Sequence, residues 1–247
     1  MFWGHLSHFY PVWDVGDWLF LPLMRYGYEP LPSGSLAGDL KREAERFSAG
    51  GDERDVKATE DLVNDLERSD ILARALKVGE HAPDFELATG GGKVVSLAGL
   101  LAEGSAILTW YRGGWCPYCN LQLNHLQMYL QRFRAAGATL AALSPELPLK
   151  SIATGERHQL GFDLLVDRHN QVAKKFGGVH RLNDGTQGYY GRMGVMDYYQ
   201  ERDMSELPVP ATYIIDPAGI VRYAYVNPDF RKRAEPEEML EVVRGIM

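Results

Sequence analysis

Two cysteines carry the chemistry legible in this sequence. Cys116 and Cys119 are the whole cysteine content of a 247-residue chain, and they stand as C-x-x-C. A secreted disulfide scaffold carries many more. A structural zinc site needs a second pair of ligands, and no other cysteine exists to supply one. Residue 120 is Asn rather than His, so the c-type haem signature is absent. The pair reads as a redox dithiol, with no metal and no organic cofactor expected.

The residues around the pair sharpen that reading. The stretch Trp110-Tyr111-Arg112-Gly113-Gly114-Trp115-Cys116-Pro117-Tyr118-Cys119 follows an uncharged, mostly apolar run over 105–111. Such a run is expected of a buried central strand. After the cysteines, Leu123, Leu126, Leu130 and Phe133 fall on one helical stripe, ended by Gly137. Pro117 suits the first helical turn, where its missing N–H costs nothing. Cys116 then sits at a helix N-terminus, where the dipole and free N–H groups lower a thiol pKa from about 8.5 toward 7 or below. Cys119 comes one helical turn later, within reach of Cys116. The expectation is an exposed, attacking Cys116 and a shielded, resolving Cys119. Trp115 should shield the thiol edge, and Tyr118 should be exposed and touch substrate. Arg112 is either a thiolate-stabilising cation or a surface or ion-pair residue. His125 falls on the far side of the helix from Cys116, so it reads as a packing residue.

The rest of the chain must position this turn. Residues 35–77 read as helical, with Ser35 as N-cap, a stop at Gly50-Gly51, a second helix opening at Thr59 and a short one capped by Ser69. From residue 80 short apolar runs alternate with helical patterns. A hairpin is expected around 89–92, strands over 138–143 and 162–166, and helices over 149–159 and 171–176. Two further strands, 211–216 and 220–226, are joined by Pro217-Ala218-Gly219, and an amphipathic helix closes the chain. This pattern implies an α/β fold with a mixed sheet flanked by helices. Residues 180–206, rich in Gly, Tyr and acids, read as a long loop or insertion. Met193, Met196, Tyr198 and Tyr199 read as packing within it.

Composition excludes other classes. Hydrophobic residues are 45% and charged residues 24%, ordinary for a globular chain. The net charge of −7 speaks against nucleic acid as a partner. The longest apolar run near the start, residues 18–24, falls far short of the about 20 residues that a membrane helix needs. Nine aromatics crowd into the first 28 positions, with no Lys or Arg before Arg25. A secretory signal has a basic start and a continuous apolar stretch, which residues 1–34 lack. This segment reads either as a tail packed on the body or as an aromatic surface that docks a partner.

The motif W-C-P-Y-C after a strand resembles the thioredoxin superfamily, with the Pro-Tyr dipeptide of glutaredoxins. Taken with Val78–Phe85, Leu143-Ser144-Pro145-Glu146 and residues 207–216 (LPVPATYIID), the layout resembles the alkyl hydroperoxide reductase/thiol-specific antioxidant (redoxin) group, and within it the peroxiredoxin-like proteins. The resemblance spans roughly residues 76–247. It implies a thioredoxin-like domain over 78–247, preceded by a helical extension over 35–77. It also implies a cis-proline at Pro210, opposite the cysteines, with the Val209 backbone beside Cys116 for strand-like pairing with a partner peptide. Peroxiredoxins carry a proline seven residues and a Thr or Ser three residues before the attacking cysteine; here those positions are Thr109 and Gly113. Where they carry an arginine before the T-F-I-I-D-like strand, this chain has Pro210.

The resemblance implies an antioxidant oxidoreductase that reduces hydroperoxides through a Cys116/Cys119 dithiol–disulfide cycle, recharged by thioredoxin or glutathione. The Pro-Tyr dipeptide implies a glutaredoxin-like potential, about −200 to −230 mV. A cytoplasmic location is expected, and a homodimer is compatible with the group. The missing Thr and Arg favour a second reading, a protein dithiol–disulfide oxidoreductase. A third is a non-catalytic thioredoxin-fold interaction module, against which the intact C-x-x-C argues.

Overall fold

The computed structural model of the chain describes residues 32–199 and 205–246. The aromatic-rich start lies outside them up to residue 31, and so does its reading as tail or docking surface.

Two helices lead. In α1 (Leu36–Gly50) the Ser35 side chain accepts from the Gly38 N–H, and Leu36 and Leu40 are buried. The second helix, α2 (Glu53–Arg68), begins six residues before the expected Thr59. Asp52 caps it by accepting from the Arg54 N–H, and Glu53 and Asp55 sit at its positive end. That polar first turn carries no apolar periodicity to announce it. A short α3 (Ile71–Arg74) follows, then the hairpin β1 (Glu86–Ala88) and β2 (Val94–Ser96), then α4 (Leu97–Ala102). The body continues as β3 (Ser105–Trp110), α5 (Pro117–Ala135), β4 (Ala138–Ser144), α6 (Pro148–Arg157), β5 (Asp163–Val166) and α7 (Gln171–Lys175). It ends with β6 (Val179–Arg181), α8 (Asp184–Arg192), β7 (Glu206–Pro208), β8 (Ala211–Ile215), β9 (Val221–Val226) and α9 (Pro236–Ile246).

The central sheet has the order β5-β4-β3-β8-β9. β3 runs parallel to β4 and antiparallel to β8, so the sheet is mixed as expected. Every residue of β3 is buried, because helices cover both faces. Side chains alternate across it. Ile107 packs with Leu126, Phe133, Met239 and Leu240 of α5 and α9, while Leu108 and Trp110 pack with Phe85, Leu100, Phe176 and Tyr213. This places the end of β3, and the turn that leaves it, at the sheet's carboxyl edge.

A third apolar cluster sits over that edge. Leu40, Leu62 and Leu66 of the leading helices meet Tyr190, Trp115 and both cysteines there. The 180–206 stretch is therefore not a long loop. Its described part contains β6, α8, a 3₁₀ turn (Val195–Tyr198) and β7, with β6 paired antiparallel to β7. Asn183 caps α8, and Tyr189 and Tyr190 are buried. Aromatic burial of this size orders a segment whose glycines and acids read as irregular. Among the described residues no helix is long and apolar enough to cross a membrane, and no group of three or more His, Cys, Asp or Glu could hold a metal.

Candidate active site

The site is the turn between β3 and α5. The Tyr111 N–H donates to the Leu143 carbonyl at 3.0 Å, extending the sheet by one rung. The chain then needs two glycines. A Cβ on Gly113 would stand 2.5 Å from Trp115 Nε1, and one on Gly114 would stand 2.1 Å from Thr154 Oγ1. Close packing replaces those side chains, and the Gly114 N–H donates to Glu146 Oε2 at 2.9 Å. The other Glu146 oxygen accepts from the Tyr111 hydroxyl. Burial pushes the Glu146 carboxyl up from its ordinary range, against the pull of these donors.

Cys116 is the N-cap residue of α5 and Pro117 its first helical residue. The Cys116 carbonyl accepts from the Cys119 and Asn120 N–H groups, both at 3.0 Å. Its sulfur caps no helix N–H. The direct cation at Cys116 is Arg112, whose Nη2 donates to Sγ at 3.0 Å. Arg112 is 4% exposed, so the surface alternative is overturned. Its Nη1 donates to the Tyr190 hydroxyl at 2.6 Å, and its Cζ lies 3.9 Å from the ring centroid of Phe230 and 5.0 Å from that of Trp115. Aromatic faces attract a desolvated cation. The Tyr199 hydroxyl donates to the Arg112 carbonyl and accepts from Trp115 Nε1 at 2.8 Å.

Cys119 has a different set of partners. Its sulfur accepts from the Arg112 backbone N–H at 3.4 Å and from Arg233 Nη2 at 3.6 Å. Arg233 comes from the segment between β9 and α9 and is buried. Its Nε donates to Gln122 Oε1 at 2.9 Å. Gln122 Nε2 donates in turn to Thr109 Oγ1 at 3.1 Å, which lies 3.0 Å from Thr212 Oγ1.

Both sulfurs are fully buried and both thiols are free. An exposed Cys116 was expected; α2, α8 and Phe230 cover it instead. The expected charge order also changes. Burial pushes the Cys116 thiol up, helped by its hydrogen bond to Cys119 and opposed by Arg112. Burial acts on Cys119 too, but the Cys116 hydrogen bond, Arg233 and Arg112 outweigh it and bring that thiol well down. Of the two sulfurs, Cys119 is the one that its donors and cations draw down.

Other expected residues fall as follows. Trp115 is nearly buried and shields the turn. Tyr118 is buried too, not exposed between the cysteines; its ring meets Phe230 edge-on at 5.7 Å, because α1 and α2 pack over that face of α5. Val209 and Pro210 line a shallow pocket shared with Arg112, Leu62, Leu66 and His180. No cis peptide occurs among the described residues, so Pro210 is trans. The Val209 N–H is spent on the Gly178 carbonyl at 2.8 Å, so it is not free to pair with a partner strand. His125 faces away from the sulfurs and meets Asp39 Oδ2 at 2.7 Å. Tyr190, Phe230 and Arg233 escaped the sequence reading, which had Glu146 only as part of a family-like segment and Tyr199 only as packing. Paired tyrosines in a Gly-rich stretch were a signal for Tyr190. Nothing in the run Arg231-Lys232-Arg233 separates its last member from a solvated neighbour.

The AhpC/TSA family model matches residues 78–224, more than half of the chain. The chain is 24% identical over 176 residues to chloroplastic peroxiredoxin Q of Triticum aestivum, covering 71% of this chain and 70% of that one. It is 27% identical over 145 residues to a putative bcp peroxiredoxin of Haemophilus influenzae, covering 53% of this chain and 93% of that one. Among solved structures, peroxidoxin BcpB of Mycobacterium tuberculosis superposes with a TM-score of 0.55 at 21% identity, over 70% of this chain and 99% of that one. That likeness carries the thioredoxin-like fold. The chain belongs to the AhpC/TSA family, as a peroxiredoxin-like, thiol-dependent peroxidase.

Proposed function

We propose that Cys116 is the thiol that takes oxygen from a hydroperoxide and Cys119 the thiol that resolves it. The observation that carries this assignment is the 3.0 Å contact between Arg112 Nη2 and the Cys116 sulfur within a largely apolar cluster. The Cys119 lone pairs already face three donors, whereas Cys116 faces one, so Cys116 is the sulfur with capacity for an incoming oxygen.

The cycle balances as follows. The Cys116 proton passes along its hydrogen bond to the Cys119 thiolate. The Cys116 thiolate attacks one peroxide oxygen; an S–O bond forms and the O–O bond breaks. The alkoxide leaving group takes the proton back from Cys119 and departs as alcohol, or as water from hydrogen peroxide. Cys119 then attacks the Cys116 sulfenic sulfur, the S–S bond forms and hydroxide leaves. A dithiol reductant of the thioredoxin type, or glutathione, returns both sulfurs to the thiol state. Arg112 supplies positive charge where negative charge develops, the task that a threonine and a differently placed arginine perform in the pattern this chain departs from.

The full burial of both sulfurs favours a small peroxide over a protein disulfide, which must bring a sulfur in line with Cys116. Single-turnover rates with hydrogen peroxide, an organic hydroperoxide and a disulfide-bonded protein test this. Faster reaction with the disulfide protein than with either peroxide would reassign the oxidant.

A further inference from the structure

We propose that Arg233 is a positioning residue dedicated to the resolving thiol, holding the Cys119 sulfur as a thiolate directed at Cys116. The proposal rests on the reading of Cys119 as the resolving thiol.

Charge balance comes first. Arg112 and Arg233 are both buried, and neither forms an ion pair with a carboxylate among the described residues. A buried guanidinium without a counter-charge is costly, and such groups persist when an anion is at hand. The two sulfurs are the groups these cations meet. Arg112 Nη2 goes to Cys116 and Arg233 Nη2 to Cys119, one cation for each. Glu146, the carboxyl nearby, is already engaged by Gly114 and Tyr111 and is itself pushed toward its neutral form by burial.

Arg233 is also held, not merely near. Its Nε is fixed by Gln122, its Nη1 donates to the Lys232 carbonyl at 3.0 Å, and Gln122 is fixed by Thr109 and Thr212. This leaves Nη2 for the sulfur. Gln122 lies one turn beyond Cys119 on α5, so the helix itself sets the spacing between clamp and thiol. The titratable and charged groups around Cys119 are Cys116, Arg112, Tyr111, Glu146, Tyr190, Tyr199 and Arg233. Burial holds all three tyrosines up, so they stay neutral and leave the arginines as the groups that favour a thiolate.

The consequence is kinetic. A cation within about 4–6 Å lowers a neighbouring acid's pKa by about 1–3. A rise of about 2 would cut the thiolate fraction near neutral pH by at most about 100-fold. A more basic thiolate is the better nucleophile, with a Brønsted slope of about 0.4–0.5, which returns roughly 6- to 10-fold. Disulfide closure should then slow by up to about tenfold, and by more than sulfenate formation at Cys116, which Arg112 serves directly and Arg233 only assists.

The test uses the full chain with Arg233→Met and Arg233→Lys, oxidised by one equivalent of hydrogen peroxide, with sulfenate trapped by dimedone. Arg233→Met should close its disulfide more slowly at neutral pH, by up to about tenfold, accumulate the Cys116 adduct and recover toward the wild-type rate in alkali. Arg233→Lys, which keeps the charge without the planar fork, should regain part of the rate. Unchanged closure with an unchanged pH profile in a folded Arg233→Met overturns the proposal, as does slowed sulfenate formation with normal closure. A second arm needs no peroxidase activity. Ultraviolet titration of the thiolate in Cys116→Ser, with and without Arg233→Lys or Arg233→Met, should show the Cys119 transition moved upward by Met and less by Lys. Coincident titrations overturn the proposal whatever the peroxide results; absence of peroxide chemistry in the wild type with a clear Met-induced shift would overturn only the assigned reaction.

Discussion

Arg112 reaches the Cys116 sulfur at 3.0 Å from a position four residues earlier in the chain, across a turn that only two glycines permit. The guanidinium is buried among aromatic rings, so its field is not screened as a surface charge would be. It opposes the upward push of burial on the Cys116 thiol.

Arg112→Ala should therefore slow oxidation of Cys116 by hydrogen peroxide by about 10- to 1,000-fold near neutral pH, the range set by a pKa change of about 1–3. The deficit should shrink in alkali. Arg112→Lys should recover part of it, since charge persists without the fork. Rate against pH for the three proteins is the measurement. Superimposable profiles would leave Arg112 with packing alone.

Cys116→Ser should lose peroxide turnover altogether, because a hydroxyl near neutral pH cannot replace a thiolate nucleophile. Cys119→Ser should still react once and stop as a Cys116 sulfenic acid, visible by mass spectrometry after dimedone treatment. Single-turnover activity in Cys116→Ser with a dead Cys119→Ser would reverse the two roles.

Leu66 of α2 lines the pocket beside Arg112 and is almost fully buried. Leu66→Ala should cost about 2–5 kcal/mol of stability, from lost transfer energy and the cavity left behind. It should also raise the rate with a bulky organic hydroperoxide relative to hydrogen peroxide, by widening the approach. Urea unfolding and the ratio of the two rates read these effects separately. An unchanged ratio would place the oxidant's path elsewhere.

Asp39 ties α1 to the catalytic helix through His125 and also accepts from the Ser33 backbone and hydroxyl, both at 3.0 Å. Burial pushes its carboxyl up, but these donors win and hold it below its ordinary value. A carboxyl depressed in the folded state stabilises the fold above its unfolded pKa of about 3.9, and that contribution is lost as pH falls through the lower folded value. Asp39→Asn should cost about 1–3 kcal/mol at neutral pH, as expected when hydrogen bonds to a charged group are lost. Its stability should also vary less with pH below about 4 than the wild type's. Parallel acid-unfolding curves for the two proteins would contradict this.

Much of the fold is written in local pattern. β3 is an apolar run closed by the W-C-P-Y-C turn, and α5 is a stripe of Leu123, Leu126, Leu130 and Phe133 ended by a glycine, so period and punctuation agree. The start of α2 was not legible, because Asp52 to Ala58 present charge and capping rather than a stripe. The middle of the 180–206 stretch was not legible either. Its order comes from burying Tyr189 and Tyr190 against a surface that other segments build.

The C-x-x-C pair and its place at a strand-to-helix turn follow from the sequence alone, because they depend on residues within one turn of each other. Tertiary structure decided the burial of both thiols and which cation each sulfur meets. Tyr190, Tyr199, Phe230 and Arg233 arrive at Cys116 and Cys119 from segments about 70 to 115 positions later in the chain. Desolvation and Coulomb interaction depend on distance in space, and no spacing along the chain records that distance.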